Sequence, residues 1–581
     1  MPCIPNSAAE TYADFITRYY VSPQEFIARA GTDCIDFINY QFAVVHLPLD
    51  SIQNLAMSTA AYTAIPKLYT LLDMTSMDAA GILNARELPP LSGDGRGVMI
   101  GFIDTGIDYR SPVFQNTDGT TRILGIWDQT IGDGNIIPGN TFRSHYGTQY
   151  TKAQIDAALR SDDPLSIVPS TDANGHGTFL ASIAAGNTDE TAGFSGAAPS
   201  CYIGVVKLKP AKQYLRDFFL IKDGADAYQE NDIMMGVTYL FALARQYNTP
   251  LVICLGVGTN MGSHTGTSNL GLFIDEMSTY NGTVFVIAAG NETGAAHHFR
   301  ALTSQKSSEV QVELKIGENT HGFSMELWAQ GIAVYTVDFI SPSGQRIEGV
   351  PARSGEAESF HFLLEGTEIT VYSRITANAA GSQLIFLRFK NPLPGIWTLV
   401  VTNATDLSDT FHIWLPSRGL IADDTVFLRP DPDTIVTGPG NTRYPITVGA
   451  YDHNTGGIYI HSSRGYSRSG LIKPELAAPG VNILGAGLRP TGTRANSPTV
   501  PDPATYKRMT GTSVAAAHVA GAAAILLRWG ILEKNEPFMN SSTIKTYLIR
   551  GAKRNPVLTY PNREFGYGTL DLYDAFLNLR I

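Results

Sequence analysis

Three polar residues stand far apart in this chain, each in a glycine-bearing segment. They are Asp104 in FIDTGID, His176 in DANGHGTFLASIAAG and Ser513 in MTGTSVAAAHVAGAAAILL. Brought together, such residues can split an amide. The hydroxyl attacks, the imidazole carries its proton, and the carboxylate steadies the imidazolium that forms. Taken singly, each has an ordinary structural use: a turn aspartate, a histidine in a glycine turn, a serine N-cap. Their settings nonetheless suit chemistry. Asp104 ends the apolar run VMIGFID, and ligands of open α/β sheets gather outside such carboxyl ends. Gly175 and Gly177 let the backbone bend around His176. The start of the helix that follows favours the neutral imidazole a general base needs. Ser513 opens an alanine-rich helix whose first amides can face a developing negative charge.

The elements that must position these residues are readable as runs. VMIGFID (Val98–Asp104), LVICLGVG (Leu251–Gly258) and TVFVIAAG (Thr283–Gly290) are continuously apolar, as strands buried on both faces are. Helical stretches at Thr178–Ala185 and Asn231–Tyr247 lie between them, which predicts an α/β domain with a parallel sheet and helices on both faces. From about Ala301 to Pro430 the period changes to two, with Val310, Val312, Leu314 and Ile316, then Phe323, Met325 and Leu327. Short strands at even spacing predict an inserted β-sandwich or jelly roll. Residues 1–75 form a separate α/β unit, with strands at Asp14–Tyr20 and Asp36–Leu49 and a helix at Pro23–Ala30 opened by Ser22. The expected domains are therefore 1–75, 76–300, an insertion at 301–431, and 432–581.

Of the 581 residues, 44% are hydrophobic and 16% charged, which suits large buried cores. A formal net charge of -11 supplies no basic surplus to neutralise phosphates, which argues against nucleic acid as a partner. Cys3, Cys34, Cys201 and Cys254 show no CxxC pair, so neither a zinc site nor a disulfide framework is expected. No secretory signal and no transmembrane helix is read, so synthesis in the cytoplasm and no membrane partner are expected.

The order Asp…His…Ser is that of subtilisin, and FIDTGID, NGHGT and GTSVAAAHVAG resemble the three signatures of subtilisin-like serine proteases. AAGNET, KPELAAPG (Lys473–Gly480) and FGYGTLDLYDA (Phe565–Ala575) resemble further landmarks of that family. The resemblance implies that Asp104, His176 and Ser513 form a catalytic triad and that Asn291 lines the oxyanion hole. It also implies that Gly256, Val257 and Gly258 form a strand that binds the substrate backbone. Two positions depart from the family pattern. Ala517 replaces the proline four residues after the nucleophile, and Gly256-Val257-Gly258 replaces Ser-Leu-Gly. His518, five positions along the helix from Ser513, reads as structural.

A narrower resemblance, to the Csp-type spore-germination proteases, rests on IPKLYTLLD, VVKLKPAKQYLRDFF and AYQENDIMMGVTYL. It implies a propeptide (1–75) that templates folding, is cut by the enzyme and stays bound as an inhibitor, with its tail Ala64–Met77 in the cleft. It also implies association with spores and activation of a cortex-hydrolase proenzyme. Three alternatives stand beside that role. The chain could be a catalytically silent sensor or scaffold, a gut-anaerobe subtilase with another protein substrate, or a binding protein working through its β insertion. Trp328, Trp397 and Trp414 do not cluster as a sugar platform and read as core or turn residues. No metal and no cofactor is expected. The insertion is expected to bury its inward-facing alternating residues against the catalytic domain (76–300 with 432–581) and to stabilise it rather than bind substrate.

Overall fold

The computed structural model describes residues 7–52, 61–71, 78–86, 93–348 except 133 and 138, 357–375, 382–489 and 505–580. Its centre is an eight-stranded sheet. The order is Leu476–Pro479, Ile446–Tyr451, Thr283–Ala288, Leu251–Leu255, Met99–Asp104, Tyr202–Lys207, Ile123–Asp128, Thr148–Thr151. Every pairing is parallel except that of the edge strand Thr148–Thr151. The strand Met99–Asp104 is buried throughout because each of its faces meets a different core. Ile100 and Phe102 pack among the residues of the helices His176–Ala185 and Thr512–Leu527. Met99 and Ile103 pack among those of Glu230–Tyr247 and Asn269–Met277. The helix Thr512–Leu527 is buried along its whole length. Together with the π-helical turn Arg528–Leu532 it is long and apolar enough for a membrane span, but 83% of its most apolar window lies inside the protein.

The insertion holds two antiparallel sheets. Six strands between His298 and Trp414 form one, and five between Glu309 and Phe427 form the other. The period-two residues Val312, Leu314, Phe323, Met325, Leu327, Ile385, Leu387 and Phe389 meet between the sheets. They therefore pack against each other, not against the catalytic domain. The opposite faces of the same strands, through Trp328, Leu384, Phe386 and Trp414, cover the catalytic domain at Phe218, Phe219 and Met261. Trp328, Trp397 and Trp414 are all buried.

At this junction three buried histidines surround Trp414. The rings of His264, His298 and His412 stack on it at 4.1, 4.8 and 5.0 Å between centroids. His298 Nε2 and His412 Nδ1 are 2.9 Å apart. Burial pushes His264 and His298 each down to about 3, and His412 is held well below its ordinary value by burial, His298 and Arg468. Groups kept neutral in the fold but free to protonate when unfolded stabilise fully above about pH 6.5. That contribution falls away as pH drops towards 3, by about 1.4 kcal/mol per pH unit for each histidine. Urea unfolding at pH 7 and pH 5 should show this loss, and His264→Gln with His298→Gln should flatten the slope.

The N-terminal unit is a three-stranded antiparallel sheet, in the order Tyr12–Arg18, Phe42–Pro48, Ile35–Phe37, with the helix Pro23–Ala30. Ser22 caps that helix by accepting from the Glu25 N–H, and Gly31 ends it at φ 68°. The single strand expected over Asp36–Leu49 is two strands. Asn39 Oδ1 accepts from the amides of Gln41 and Phe42 and closes a turn between them. Cys34 is disulfide-bonded, whereas Cys201 and Cys254 are free and buried. Ile16, Ile38, Phe42 and Val44 join the core around the helix Glu230–Tyr247, so the unit is seated on the catalytic domain.

A buried ion network fastens that seat. Lys212 donates to Asp14 Oδ1 (2.8 Å) and to the carbonyls of Ser7 (2.6 Å) and Tyr12 (3.1 Å). His46 places Nδ1 2.7 Å from Asp14 and Nε2 3.1 Å from Asp36, while His145 of the catalytic domain reaches Asp36 at 2.6 Å. Burial opposes charge on His46, but the two carboxylates outweigh it and push its pKa up to about 9. Burial would raise Asp14, yet Lys212 and His46 hold it far below the usual carboxylate range.

Candidate active site

Asp104 is the last residue of its strand, and His176 and Ser513 stand in the first turns of two helices. Gly175, at φ 84°, makes the left-handed turn that starts the histidine helix. Asp172 braces it by accepting from the amides of Gly175 (2.7 Å) and Thr178 (2.9 Å). Gly177 has no room for a side chain, because a Cβ there would lie 2.2 Å from the Gly106 carbonyl oxygen.

The three residues, 72 and 337 positions apart in sequence, meet side by side. His176 Nδ1 lies 2.7 Å from Asp104 Oδ1, and His176 Nε2 lies 3.2 Å from Ser513 Oγ. Asp104 Oδ1 also accepts from the Thr105 amide at 2.8 Å, which fixes the carboxylate. With Nδ1–H donated to Asp104, Nε2 is the imidazole's acceptor for the serine proton. All three are buried.

Asn291 stands at the start of the serine helix. The Thr512 amide (3.1 Å) and hydroxyl (3.2 Å) both donate to Asn291 Oδ1. That network sets the orientation of the amide, with Oδ1 turned to Thr512. Replacing Asn291 with Ala should lower kcat about 10²–10³-fold with little change in KM, as loss of the corresponding donor does in subtilisin. Steady-state kinetics on a peptide substrate reads this directly.

His518 is elsewhere. Its Nδ1 bonds the Val514 carbonyl of its own helix at 2.8 Å, and burial pushes it down to about 3. Ala517 is buried in that helix, which starts at Thr512 without the family's proline. Gly256 lies against the triad, and a Cβ there would sit 3.1 Å from Asp104 Oδ2 and 2.6 Å from Leu180 Cδ1. The leucine therefore fills the space that a serine side chain would need.

Val257 and Gly258 already have a partner. The strand Leu68–Leu71 pairs antiparallel with them, Leu71 opposite Val257 and Thr70 opposite Gly258. On its other edge it pairs with Tyr228–Gln229, Leu68 opposite Gln229 and Tyr69 opposite Tyr228. The tail of the N-terminal unit is thus the middle strand of a three-stranded sheet that points at the triad. Residues 72–77, the rest of the expected tail, lie outside the described residues. Sequence reasoning missed the Tyr228–Gln229 edge, since two residues carry no periodicity.

The profile of the subtilase family matches residues 95–334 and 428–568. The chain belongs to this family. The gap in the match falls within the β insertion. Two curated relatives from Arabidopsis thaliana are similar to this subtilase. Subtilisin-like protease SBT2.2 is 25% identical over 501 residues, covering 74% of this chain and 54% of its own length. Subtilisin-like protease SBT2.3 is 24% identical over 567 residues, covering 83% and 62%. The chain thus spans little more than half the length of these relatives. Among solved structures, the CspB protease of Clostridium perfringens superposes with a TM-score of 0.73 at 30% identity, over 87% of this chain and 98% of that one.

Proposed function

We propose that this subtilase hydrolyses peptide bonds in protein substrates through Asp104, His176 and Ser513. The observation that carries the reading is the unbroken chain of contacts from Asp104 through His176 to Ser513. Ser513 Oγ attacks the scissile carbonyl as His176 Nε2 takes its proton, and the same imidazolium then protonates the leaving amine. Asn291 and the Ser513 amide receive the oxyanion. A complete triad disfavours the silent scaffold. A fluorophosphonate probe should label Ser513 in the wild type and leave Ser513→Ala unlabelled, and an unlabelled wild type would refute the reading.

The N-terminal unit is a prosegment cut by its own enzyme. Its tail pairs with the substrate strand as a peptide substrate would, and a tail held there reacts intramolecularly, where orientation can lower the barrier by roughly 7–11 kcal/mol. The bond to be cut is expected shortly after Leu71. The buried network around Asp14 and His46 supports a prosegment that stays bound after the cut. A Csp-type role in spores, activating a cortex-hydrolase proenzyme, is supported by the likeness to the CspB protease. Incubating the processed protein with such a proenzyme and following its mass tests that role.

A further inference from the structure

Residues 62–68, which lead into and begin the tail strand, turn apolar side chains into the protein. Tyr62, Ile65 and Leu68 are buried in a groove with Phe218 and Met261 of the α/β domain on one wall and Trp328 and Phe386 of the β insertion on the other. Two carboxylates are built into the walls. Glu326 of the insertion, 3% exposed, accepts from the Tyr62 hydroxyl, from Trp328 Nε1 (2.8 Å) and from the Gly262 amide (2.9 Å). Glu230, 1% exposed at the start of its helix, accepts from the amides of Lys67 (3.2 Å) and Leu270 (3.0 Å). Between them lies Lys67, 4% exposed. Its ammonium sits 4.1 Å over the Tyr62 ring and donates to the carbonyls of Tyr62 (2.7 Å) and Ile65 (2.5 Å).

We propose that this groove is a substrate-recognition site to which the β insertion contributes, selecting polypeptides that carry a tyrosine and, five residues later, a lysine upstream of the scissile bond. The inference rests on the reading of this chain as a protease whose tail strand occupies the substrate position. Any substrate paired with Val257 and Gly258 must continue upstream between the same two walls. An occupant without the hydroxyl and the cation leaves two buried carboxylates without their compensating charge and one hydrogen-bond donor short, which is costly in a dry groove. The lysine also closes a turn on its own backbone, so the site reads a shaped segment, whereas the tail strand alone would accept any extended chain.

Two measurements on the full-length chain and its processed complex test this. In the first, self-processing is timed for wild type, Tyr62→Phe, Glu326→Gln and the double variant. Each single change should slow it about tenfold, and the double should be no slower than either single change, as for one shared charged hydrogen bond. In the second, quenched-fluorescent peptides with the sequences of residues 61–77 and 68–77 compete for the processed complex. Ratios of kcat/KM between peptides do not depend on the fraction of enzyme left free. The longer peptide should be preferred at least tenfold, chiefly through KM, and Tyr62→Phe or Lys67→Met in the peptide should remove most of that preference. Glu326→Gln enzyme should no longer distinguish tyrosine from phenylalanine. Equal cleavage of the two peptides overturns the proposal, while labelling of Ser513 shows independently that the protease reading stands. An effect on self-processing with none on the peptides also overturns it, since the groove would then serve only its own segment.

Discussion

Ser513→Ala and His176→Ala should each lower peptide hydrolysis by about 10⁶ in kcat, and the double variant should be no worse than either alone. In subtilisin the loss of serine or histidine alone costs about 2 × 10⁶, because the two act as one unit. Here the unit is visible as a single path, 2.7 Å from Asp104 to His176 and 3.2 Å from His176 to Ser513. Without the serine there is no nucleophile to activate, and without the histidine nothing takes its proton. KM should change little, since neither residue forms the strand that holds the peptide. A residual rate above that of water would come from Asn291 and the backbone donors. Normal hydrolysis by both single variants would refute the mechanism.

Lys212→Met should release the cut prosegment. The Lys212 ammonium has three acceptors, all on the N-terminal unit, and it is 2% exposed beside an Asp14 that is 1% exposed. Removing one partner of such a pair strands the other charge, at a cost of about 3–5 kcal/mol. That corresponds to roughly 10²–10³-fold or more in affinity. The expected result is faster dissociation of the prosegment by gel filtration and a matching rise in peptidase activity. High pH should loosen the N-terminal unit itself through His46, whose partners Asp14 and Asp36 belong to the same unit. The His46 pKa is raised, so its contribution is fully present below about pH 6.5 and is lost as pH rises through about 9. Unchanged retention of the prosegment in Lys212→Met would show that apolar packing alone holds it.

The parts of this fold that were legible in the sequence are those where one residue type is tied to one local task. Asp104, His176 and Ser513 announced themselves because a strand end and two helix starts need glycine and small residues around them. The parallel strands did so because burial on both faces leaves an unbroken apolar run. The insertion was legible as strands but not in its packing. In FSMELWA, Phe323, Met325 and Leu327 face one core, while Glu326 and Trp328 on the other side meet the catalytic domain. Period-two reading takes a glutamate in that phase as solvent-facing. The Lys212–Asp14 pair also joins distant residues with no local pattern. Long-range pairing of single residues leaves no trace in spacing.

As proposed, the prosegment tail is the enzyme's own first substrate, held in the cleft beside Val257 and Gly258. Intact mass and N-terminal sequencing of the purified protein test this most directly. Wild type should lose its first residues and begin anew at a position between Leu71 and Met77, at a rate independent of protein concentration, while Ser513→Ala should stay full length. A Ser513→Ala protein cut at the same bond, when prepared free of other proteases, would contradict the account.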